Sequence, residues 1–294
     1  YIYDNQKEDA LEIINNFYND LNIRVQSVRK KTKVGMNGLM IETAKLLTTH
    51  SDDNFVISYD NIYFLTGMSS KNWENELKRE VPNCFEEQIF HHGKLKKFKE
   101  LVNKNKIKNA VIFVDEIDTG DKMGQRLDIM LKKCGVLDIK FMMENNVRFI
   151  FTSATIIDTL NDLFKWGENH VNFTMTIPST YIGHTEFLEL GIIEEHYRIG
   201  NIELAKKWIN EDIIYNYNDD FRVHFIRVDN KSESYIQDAC ISLGIKYILH
   251  TSKERITDEE FKEIYNNLET HIVIMVKGFL RRATFIPNEY KLKI

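Results

Sequence analysis

Two adjacent carboxylates follow one of the most apolar runs in the chain. Residues 110–114 are all apolar, and Asp115 and Glu116 come directly after them, with Asp118 close behind. Such a run predicts a buried strand, and open α/β sheets bind their ligands at the carboxyl ends of strands. An Asp there can hold Mg²⁺, and a neighbouring Glu can orient and deprotonate an attacking water. The alternative interpretation is a solvated acidic loop, which the apolar residues before the pair and Asp118 after it disfavour.

A group of small hydroxyl residues ends a second apolar run. Residues 147–152 predict another strand, and Ser153 and Thr155 follow it. Taken alone, such residues are typical of the cap of a following helix. Beside an acidic strand they can bond the acidic loop and sense its ligand. We therefore predict a catalytic group of Asp115, Glu116, Ser153 and Thr155.

A basic, glycine-containing turn lies near the amino terminus. Residues 29–38 connect a predicted strand, 24–28, to an apolar helix predicted over 39–47. In a strand–turn–helix arrangement the amino terminus of the helix can hold an anion, because its first amide groups lack helical partners. The turn is thus a candidate phosphate-binding loop.

The alternation of apolar strands with helices predicts an α/β fold with parallel sheets covered on both faces. The first helix is predicted over residues 8–22. The stretch 177–212 has no regular period and is expected to connect two units, after which strands are predicted at 223–228, 246–250 and 271–276. We place the domains at residues 1–190 and 191–294, the second of them truncated.

Composition narrows the functional classes. The net charge of −5 gives no global basic field, so any binding of nucleic acid must use a local patch. The three cysteines are far apart, which disfavours a disulfide framework or a zinc site and favours a reducing intracellular compartment. No membrane span or signal peptide is visible, and because the chain starts without Met we expect a fragment or a processed product. The three tryptophans are interpreted as core or partly buried anchors.

Two of these motifs carry a resemblance to a known family. Residues 115–118, Asp-Glu-Ile-Asp, resemble the DExD box of superfamily 2 helicases, and residues 153–155, Ser-Ala-Thr, resemble their SAT motif. The order and the spacing are similar to those of the family. The resemblance implies two RecA-like units, the binding of ATP and Mg²⁺, and movement along a strand of DNA or RNA.

Three further segments are similar to motifs of that family. Gln6, placed just before the first predicted helix, resembles the Q-motif glutamine, which implies contact with adenine. Residues 66–70 stand where such enzymes contact the strand, which implicates Thr66, Gly67, Ser69 and Ser70. Residues 277–284 resemble motif V, as in restriction-type and large-DNA-virus or phage helicases, and implicate Lys277, Arg281 and Arg282. Motif VI is expected beyond Ile294.

The phosphate loop departs from the family pattern G-x-x-x-x-G-K-[ST]. The matching cofactor-binding residues are Thr32, Lys33, Gly35, Met36, Asn37 and Gly38. Met36 replaces the lysine and cannot neutralise phosphate charge, while Asn37 replaces the hydroxyl residue and offers Mg²⁺ only an amide oxygen beside Asp115. Lys30, Lys31 or Lys33 is a possible substitute for the missing lysine.

Two functions therefore stay open. One is an ATP-dependent helicase or translocase, in which ATP binds in a cleft between the two units. The other is a non-hydrolysing module that binds nucleic acid or a protein and keeps a vestigial nucleotide site. The acidic pair favours the first function, and Met36 and Asn37 favour the second.

Overall fold

The computed structural model describes residues 2–32, 34–49, 56–66, 71–104, 106–116, 126–154, 164–193, 198–251, 253–277 and 288–294. The chain forms two compact units, Tyr1–Ile193 and Glu194–Ile294, here called unit 1 and unit 2. No helix in the described ranges is both long and apolar enough to cross a membrane.

Unit 1 is built on one sheet of parallel strands. The strands are β1 (Val25–Arg29), β2 (Ile62–Thr66), β3 (Ile89–Phe90), β4 (Ala110–Asp115), β5 (Val147–Ser153) and β6 (His170–Thr174). Their order is β3-β2-β4-β5-β1-β6, and every neighbouring pair is parallel. The central strands β4 and β5 are buried along their whole length, as their continuous apolar runs predict. The predicted α/β class is confirmed.

Helices cover both faces of this sheet. The described helices of unit 1 are α1 (Asp4–Asn19), α2 (Met36–Thr49), α3 (Lys71–Glu80), α4 (Leu95–Asn103), α5 (Arg126–Lys133), α6 (Ile139–Glu144) and α7 (His184–Glu189). One core contains Phe17 and Leu39 from α1 and α2, and the other contains Phe98 and Met142 from α4 and α6. The sheet is therefore the middle layer of a three-layer unit.

Two predictions for unit 1 were wrong in detail. The first helix begins at Asp4, so Gln6 lies inside α1 and not before it. The Gln6 side chain accepts a hydrogen bond from the Tyr3 amide at 2.8 Å, which caps the helix one turn earlier than the apolar spacing predicts. The helix after the glycine turn also begins early, at Met36, so Met36, Asn37 and Gly38 form its first turn.

Unit 2 contains a smaller parallel sheet. Its strands are β7 (Val223–Arg227), β8 (Lys246–His250) and β9 (Ile272–Val276), in the order β7-β9-β8. Its helices are α8 (Ile202–Trp208), a π-helix (Ile209–Tyr215), α9 (Asn230–Leu243) and α10 (Asp258–Asn266). The predicted strands are confirmed to within one residue.

The predicted connection over residues 177–212 contains the boundary between the units at residues 193 and 194, and its short helices were not predicted. This stretch contains α7 and α8 and the start of the π-helix. Helix α8 is set by its cap, because the Asn201 side chain accepts a hydrogen bond from the Leu204 amide at 2.9 Å. Helices of six and seven residues are too short to produce a clear apolar period in the sequence.

Candidate nucleotide-binding site

The acidic motif and the hydroxyl motif end neighbouring strands. Asp115 is the last residue of β4 and pairs in register with Thr152 of β5, and Ser153 ends β5. Ser153 in turn pairs with Arg29, the last residue of β1. The prediction that Asp115 and Ser153 lie at the carboxyl ends of adjacent strands is confirmed.

Three donors surround the carboxylate of Asp115. The Thr152 hydroxyl donates to Oδ1 at 2.6 Å, and the Trp73 indole N–H donates to Oδ2 at 3.0 Å. The Lys30 ammonium donates to Oδ1 at 3.0 Å. Burial alone would raise the pKa of Asp115, but Lys30 and the two neutral donors outweigh it and the pKa is lowered. Asp115 is therefore held as a buried carboxylate.

Lys30 bridges the two acidic residues. Its Nζ lies 3.0 Å from a carboxylate oxygen of Asp115 and 3.0 Å from Glu116 Oε1, and its side chain is only 8% exposed. The Lys30 amide also donates to the Ser153 carbonyl at 3.1 Å, which fixes the residue at the end of β1. Burial would lower the pKa of Lys30, but attraction to Asp115 and Glu116 raises it above its usual value. The cation of this site thus comes from a strand end and not from the first turn of α2.

Glu116 has an unusual backbone conformation. Its φ is +53°, in the left-handed region that side chains other than Gly rarely adopt. Such strain costs about 1–3 kcal/mol and is concentrated at functional sites. Here the conformation accompanies the contact between the Glu116 carboxylate and Lys30.

The glycine loop is covered by the side chain of Gln6. Gln6 Nε2 donates to the Gly35 carbonyl at 2.6 Å, and Gly35 has a φ of +91° that favours glycine. A Cβ at Gly35 would lie 2.3 Å from Gln6 Nε2, and one at Gly38 would lie 2.4 Å from Gln6 Oε1. A Cβ at either glycine would thus force the Gln6 amide to move, and at Gly35 the positive φ adds backbone strain.

Among the described residues of the loop, Met36, Asn37 and Thr32 bring no charged side chain to the first turn of α2. Met36 is 6% exposed and belongs to the core beneath α1 and α2, together with Val34. Asn37 is half-buried in the first turn of α2. Thr32 is exposed, and its carbonyl accepts a hydrogen bond from the Tyr181 hydroxyl at 2.8 Å. Lys33 lies outside the described residues.

The residues present do not fit Mg²⁺. Asp115 faces three donors, one of them an ammonium, and the same ammonium lies against Glu116. A divalent cation at these carboxylates would have to replace Lys30, since like charges at such distances repel strongly. Within the described ranges no group of three or more His, Cys, Asp or Glu could hold a metal ion. The predicted metal pair of Asp115 and Asn37 therefore lacks support in the geometry.

The predicted nucleic-acid residues are described only in part. Thr66 ends β2, is fully buried and pairs in register with Asp115. Lys277 follows β9, and its ammonium lies 2.6 Å from Glu233 Oε2. The remaining nucleic-acid candidates lie outside the described residues, namely Gly67, Ser69, Ser70, Arg281 and Arg282, and so does Thr155 of the predicted catalytic group.

The sequence alone did not identify Trp73 and Thr152 as members of the site. It named Lys30 only as one of three possible substitutes for the missing lysine, together with Lys31 and Lys33. Trp73 lies on α3, far from Asp115 in sequence, and its apolar ring predicts only a core position. Thr152 carried a signal, because it is the strand residue between the apolar run and Ser153. Only its position directly after β1 distinguished Lys30 from the other two lysines in the sequence.

The similarity of this chain to known proteins lies in its fold. No protein-family model matches the sequence, and no curated protein matches it. Among solved structures, a Saccharomyces cerevisiae Dbp5 variant bound to Gle1 and IP6 is 12% identical, with 97% of this chain and 75% of that chain covered and a TM-score of 0.50. The Pyrococcus furiosus Hef helicase domain is 8% identical, with 90% and 84% covered and a TM-score of 0.49. At this identity the likeness concerns the fold alone.

Proposed function

We propose that this chain, which has the RecA-like fold of superfamily 2 helicases, is a nucleic-acid-binding module with a vestigial nucleotide site. The observation that carries the proposal is the ammonium of Lys30, which lies 3.0 Å from each carboxylate of the acidic pair. In this arrangement the chain supplies its own cation where the hydrolysis of ATP would need a metal ion.

Phosphoryl transfer depends mainly on positioning and on neutralising phosphate charge. Met36 offers no charge, and the amide of Gln6 covers both glycines of the loop. The Lys30 ammonium lies 3.0 Å from Glu116 Oε1 and so occupies an oxygen that an attacking water would have to contact. These three features together support binding without turnover.

The bound partner in this proposal is a single strand of DNA or RNA. Gly67, Ser69 and Ser70 would contact it in unit 1, and Lys277, Arg281 and Arg282 in unit 2, whereas Thr66 is buried in the sheet and makes no such contact. Such contacts address mainly the phosphate backbone and tolerate any sequence. We also propose an intracellular, reducing location, on the basis of the cysteine pattern.

The proposal is tested by titrating the chain with ATP and with a labelled single strand, and by measuring the affinity for each. We expect the chain to bind a labelled single strand with equal affinity with and without ATP and Mg²⁺. We also expect no Mg²⁺-dependent increase in ATP affinity and no release of phosphate. Tight binding of Mg-ATP, or strand affinity that depends on it, would overturn the vestigial assignment.

An ATP-dependent helicase or translocase is the second candidate. It is favoured by the placement of Asp115, Glu116 and Ser153 at adjacent strand ends, which matches the resemblance to the family. In this function Lys30 would leave the carboxylates for the phosphate oxygens of ATP. Glu116 would then be released to accept a proton from the attacking water.

The second candidate is tested at Glu116. If ATP is hydrolysed, Glu116→Gln is expected to lower turnover by about 10²–10⁴-fold while ATP binding survives, because the change removes the base and keeps the shape. Glu144→Gln, at a side chain that is 62% exposed, is the matched control. Unchanged turnover in Glu116→Gln would remove this residue from the assigned role.

A further inference from the structure

Two histidines meet at the amino end of the sheet in unit 2. His224 is the second residue of β7, and His271 comes directly before β9. His224 Nε2 lies 3.2 Å from His271 Nδ1, and the centroids of the two rings are 5.2 Å apart. The segment that resembles motif V follows the carboxyl end of β9. The histidine pair therefore lies at the opposite end of the sheet, and the proposed function does not use it.

Hydrogen bonds to the main chain fix the position of the hydrogen on His271. Its Nε2 lies 2.8 Å from the Asn218 carbonyl oxygen, which only accepts, so Nε2 carries a hydrogen and donates it. Its Nδ1 accepts a hydrogen bond from the Arg222 amide at 3.2 Å and therefore carries a lone pair. His224 Nε2 faces the same lone pair, so it is the donor of that contact. His271 is thus a neutral ring that donates on one side and accepts on the other.

These bonds tie a turn to the sheet. The turn, residues 217–222, lies between the π-helix and β7, and His271 holds its Asn218 carbonyl and its Arg222 amide. Asn218 has a φ of +46°, in the left-handed region, which is uncommon for a residue other than glycine. Backbone of this kind persists where the surrounding structure holds it in place. The imidazole of His271 provides such support, because it bonds the turn at two points.

Other charged and titratable groups approach the pair from the turn. The centroid of the Tyr217 ring lies 5.4 and 6.4 Å from those of the two imidazoles. The Arg222 guanidinium lies 4.4 Å from the centroid of the Tyr217 ring. It donates from Nε to Asp220 Oδ2 at 2.9 Å and from Nη1 to the Ile294 main-chain oxygen at 3.4 Å. The turn thus places a cation, partly balanced by one carboxylate, beside the pair.

The neighbours of His224 on the sheet and in the core are apolar. His224 lies on the same face of β7 as Ile226, which packs against the apolar core formed by α8, the π-helix and α9. Its register partner on β9 is Val273. Burial lowers the pKa of His224, and the nearby His271 and Arg222 lower it further, to about 4. His224 is therefore uncharged at neutral pH.

A proton added to the pair disrupts its contacts. On His271 Nδ1 the hydrogen would point at the Arg222 amide and at the Nε2–H of His224, so three donors would meet. On His224 Nδ1 it would add a positive charge beside Arg222 in a half-buried place. Either proton binds more easily once the turn has left the rings, so acid shifts the equilibrium towards the open turn.

We propose that His224 and His271 form an acid-sensitive clamp, which holds residues 217–222 on the sheet at neutral pH and releases them when the pair gains a proton. The folded pKa of His224 is lowered from 6.5 to about 4, so its contribution to stability is present above pH 6.5 and is lost as the pH falls towards 4. Over this range the opening equilibrium constant rises by up to about tenfold per pH unit, because the open form binds one more proton. The clamp uses none of the proposed strand contacts.

Hydrogen exchange of the full chain from about pH 7.5 to about pH 4 tests the clamp, with protection factors that correct for the intrinsic effect of pH. A peptide that covers residues 214–222 reports on the turn. Within it the Asn218 amide donates to the Ile214 carbonyl at 2.9 Å, and the Asp220 amide donates to the Tyr217 carbonyl at 2.8 Å. In the native chain we expect protection at these amides to fall by up to about tenfold per pH unit below pH 6.5.

His224→Gln is the main variant, because it keeps an N–H donor towards His271 and removes the titrating ring. We expect it to reduce the slope of log protection against pH by up to about one. Burial also lowers the pKa of His250 in the same unit, so the quantity compared is the difference between the variant and the native chain. The matched control is His184→Gln, at an exposed histidine of α7, which is expected to leave the slope unchanged.

An NMR titration of the histidine C2 protons in the native chain covers the case in which His224→Gln does not fold. We expect His224 to titrate with a midpoint of about 4. A midpoint near the usual value of 6.5 would overturn the clamp, because the folded chain would then bind the proton as readily as the open turn does. So would native protection of the turn that does not fall with acid. If His224→Gln lowers protection by the same factor at every pH, His224 is a packing residue and the clamp fails. Strand binding at neutral pH tests the proposed function separately, since none of these results changes it.

Discussion

The two sides of the candidate nucleotide site differ in how closely their residues match the helicase motifs that the sequence resembles. At the ends of β4 and β5, Asp115 is buried, charged and hydrogen-bonded by Thr152. At the end of β1 and in the first turn of α2, Met36 is in the core and Gln6 covers the glycines. Lys30 connects the two sides as an internal cation. A cation from the chain itself can therefore hold a buried carboxylate in its charged form.

The largest expected effect comes from removing that cation. Lys30→Gln would leave two acidic side chains without the ammonium that now contacts both. Loss of one partner of a buried ion pair costs about 3–5 kcal/mol, and we expect a loss of this order in the free energy of unfolding at neutral pH. Denaturant unfolding measures it, and Lys31→Gln, at an exposed neighbour, is the control. Equal stability of the two variants would contradict the central role of Lys30.

The same change has a defined pH dependence. The folded pKa of Lys30 is raised, so its contribution is fully present below its usual pKa of 10.5 and is lost as the pH rises through the folded value. The folded pKa of Asp115 is lowered, so its contribution is present above its usual pKa of 3.8 and is lost as the pH falls through the folded value. We therefore expect Lys30→Gln to lose the most free energy of unfolding between these two pH values, and to lose less at lower and at higher pH.

The second largest effect is expected in the glycine loop and concerns its affinity for ATP. Met36→Lys with Asn37→Thr restores the family residues and is expected to raise ATP affinity about 10- to 100-fold. Hydrogen bonds to charged groups contribute about 1.5–3 kcal/mol each. Calorimetric titration measures the affinity for ATP. The control is Asn37→Thr alone, which adds no ammonium.

Two outcomes of that experiment would change the interpretation. Tight binding of Mg-ATP by the unaltered chain would mean that Lys30, Lys31 or Lys33 already replaces the missing lysine. No gain in the double variant would mean that the loop cannot form a phosphate cradle. The burial of Met36 gives a physical reason for that second result, because an ammonium there must leave the core to reach a phosphate.

The side of the site at the ends of β4 and β5 was also the side that the sequence predicted. Strands β4 and β5 are continuous apolar runs, and parallel pairing brings their ends together, so the placement of Asp115 beside Ser153 follows from pattern alone. Strand β6 was missed because it is an edge strand with polar and exposed residues, and β3 because it has only two residues. Trp73 and Gln6 reach the site from other elements, and long-range contacts of this kind leave no periodic signal in the sequence.

A smaller effect is expected from the neutral donors on the acidic side. Thr152→Val keeps the shape of the side chain and leaves Asp115 Oδ1 without the hydroxyl that now donates at 2.6 Å. A lost partner at a buried acceptor costs about 1–3 kcal/mol in the free energy of unfolding. Thr174→Val, at an exposed threonine at the end of β6, is the matched control. A loss in Thr152→Val no larger than in this control would mean that Lys30 and Trp73 satisfy Asp115 without the hydroxyl.

The smallest effect is expected at Gln6, and it separates the two functions most directly. Gln6→Met keeps the length of the side chain but removes its hydrogen bonds to the Gly35 carbonyl and the Tyr3 amide. Because both hydrogen bonds are only partly buried and Met retains the packing of the side chain, we expect a loss of only about 1 kcal/mol in the free energy of unfolding. Gly35→Ala is the contrasting variant and is expected to lose more free energy of unfolding. Gly35 has a φ of +91°, and a Cβ there would lie 2.3 Å from Gln6 Nε2. If Gln6 serves only to hold the loop, Gln6→Met leaves ATP affinity unchanged. A large loss of ATP affinity with little loss of stability would instead assign Gln6 the contact with adenine that the family resemblance implies, and the helicase function would become the better one.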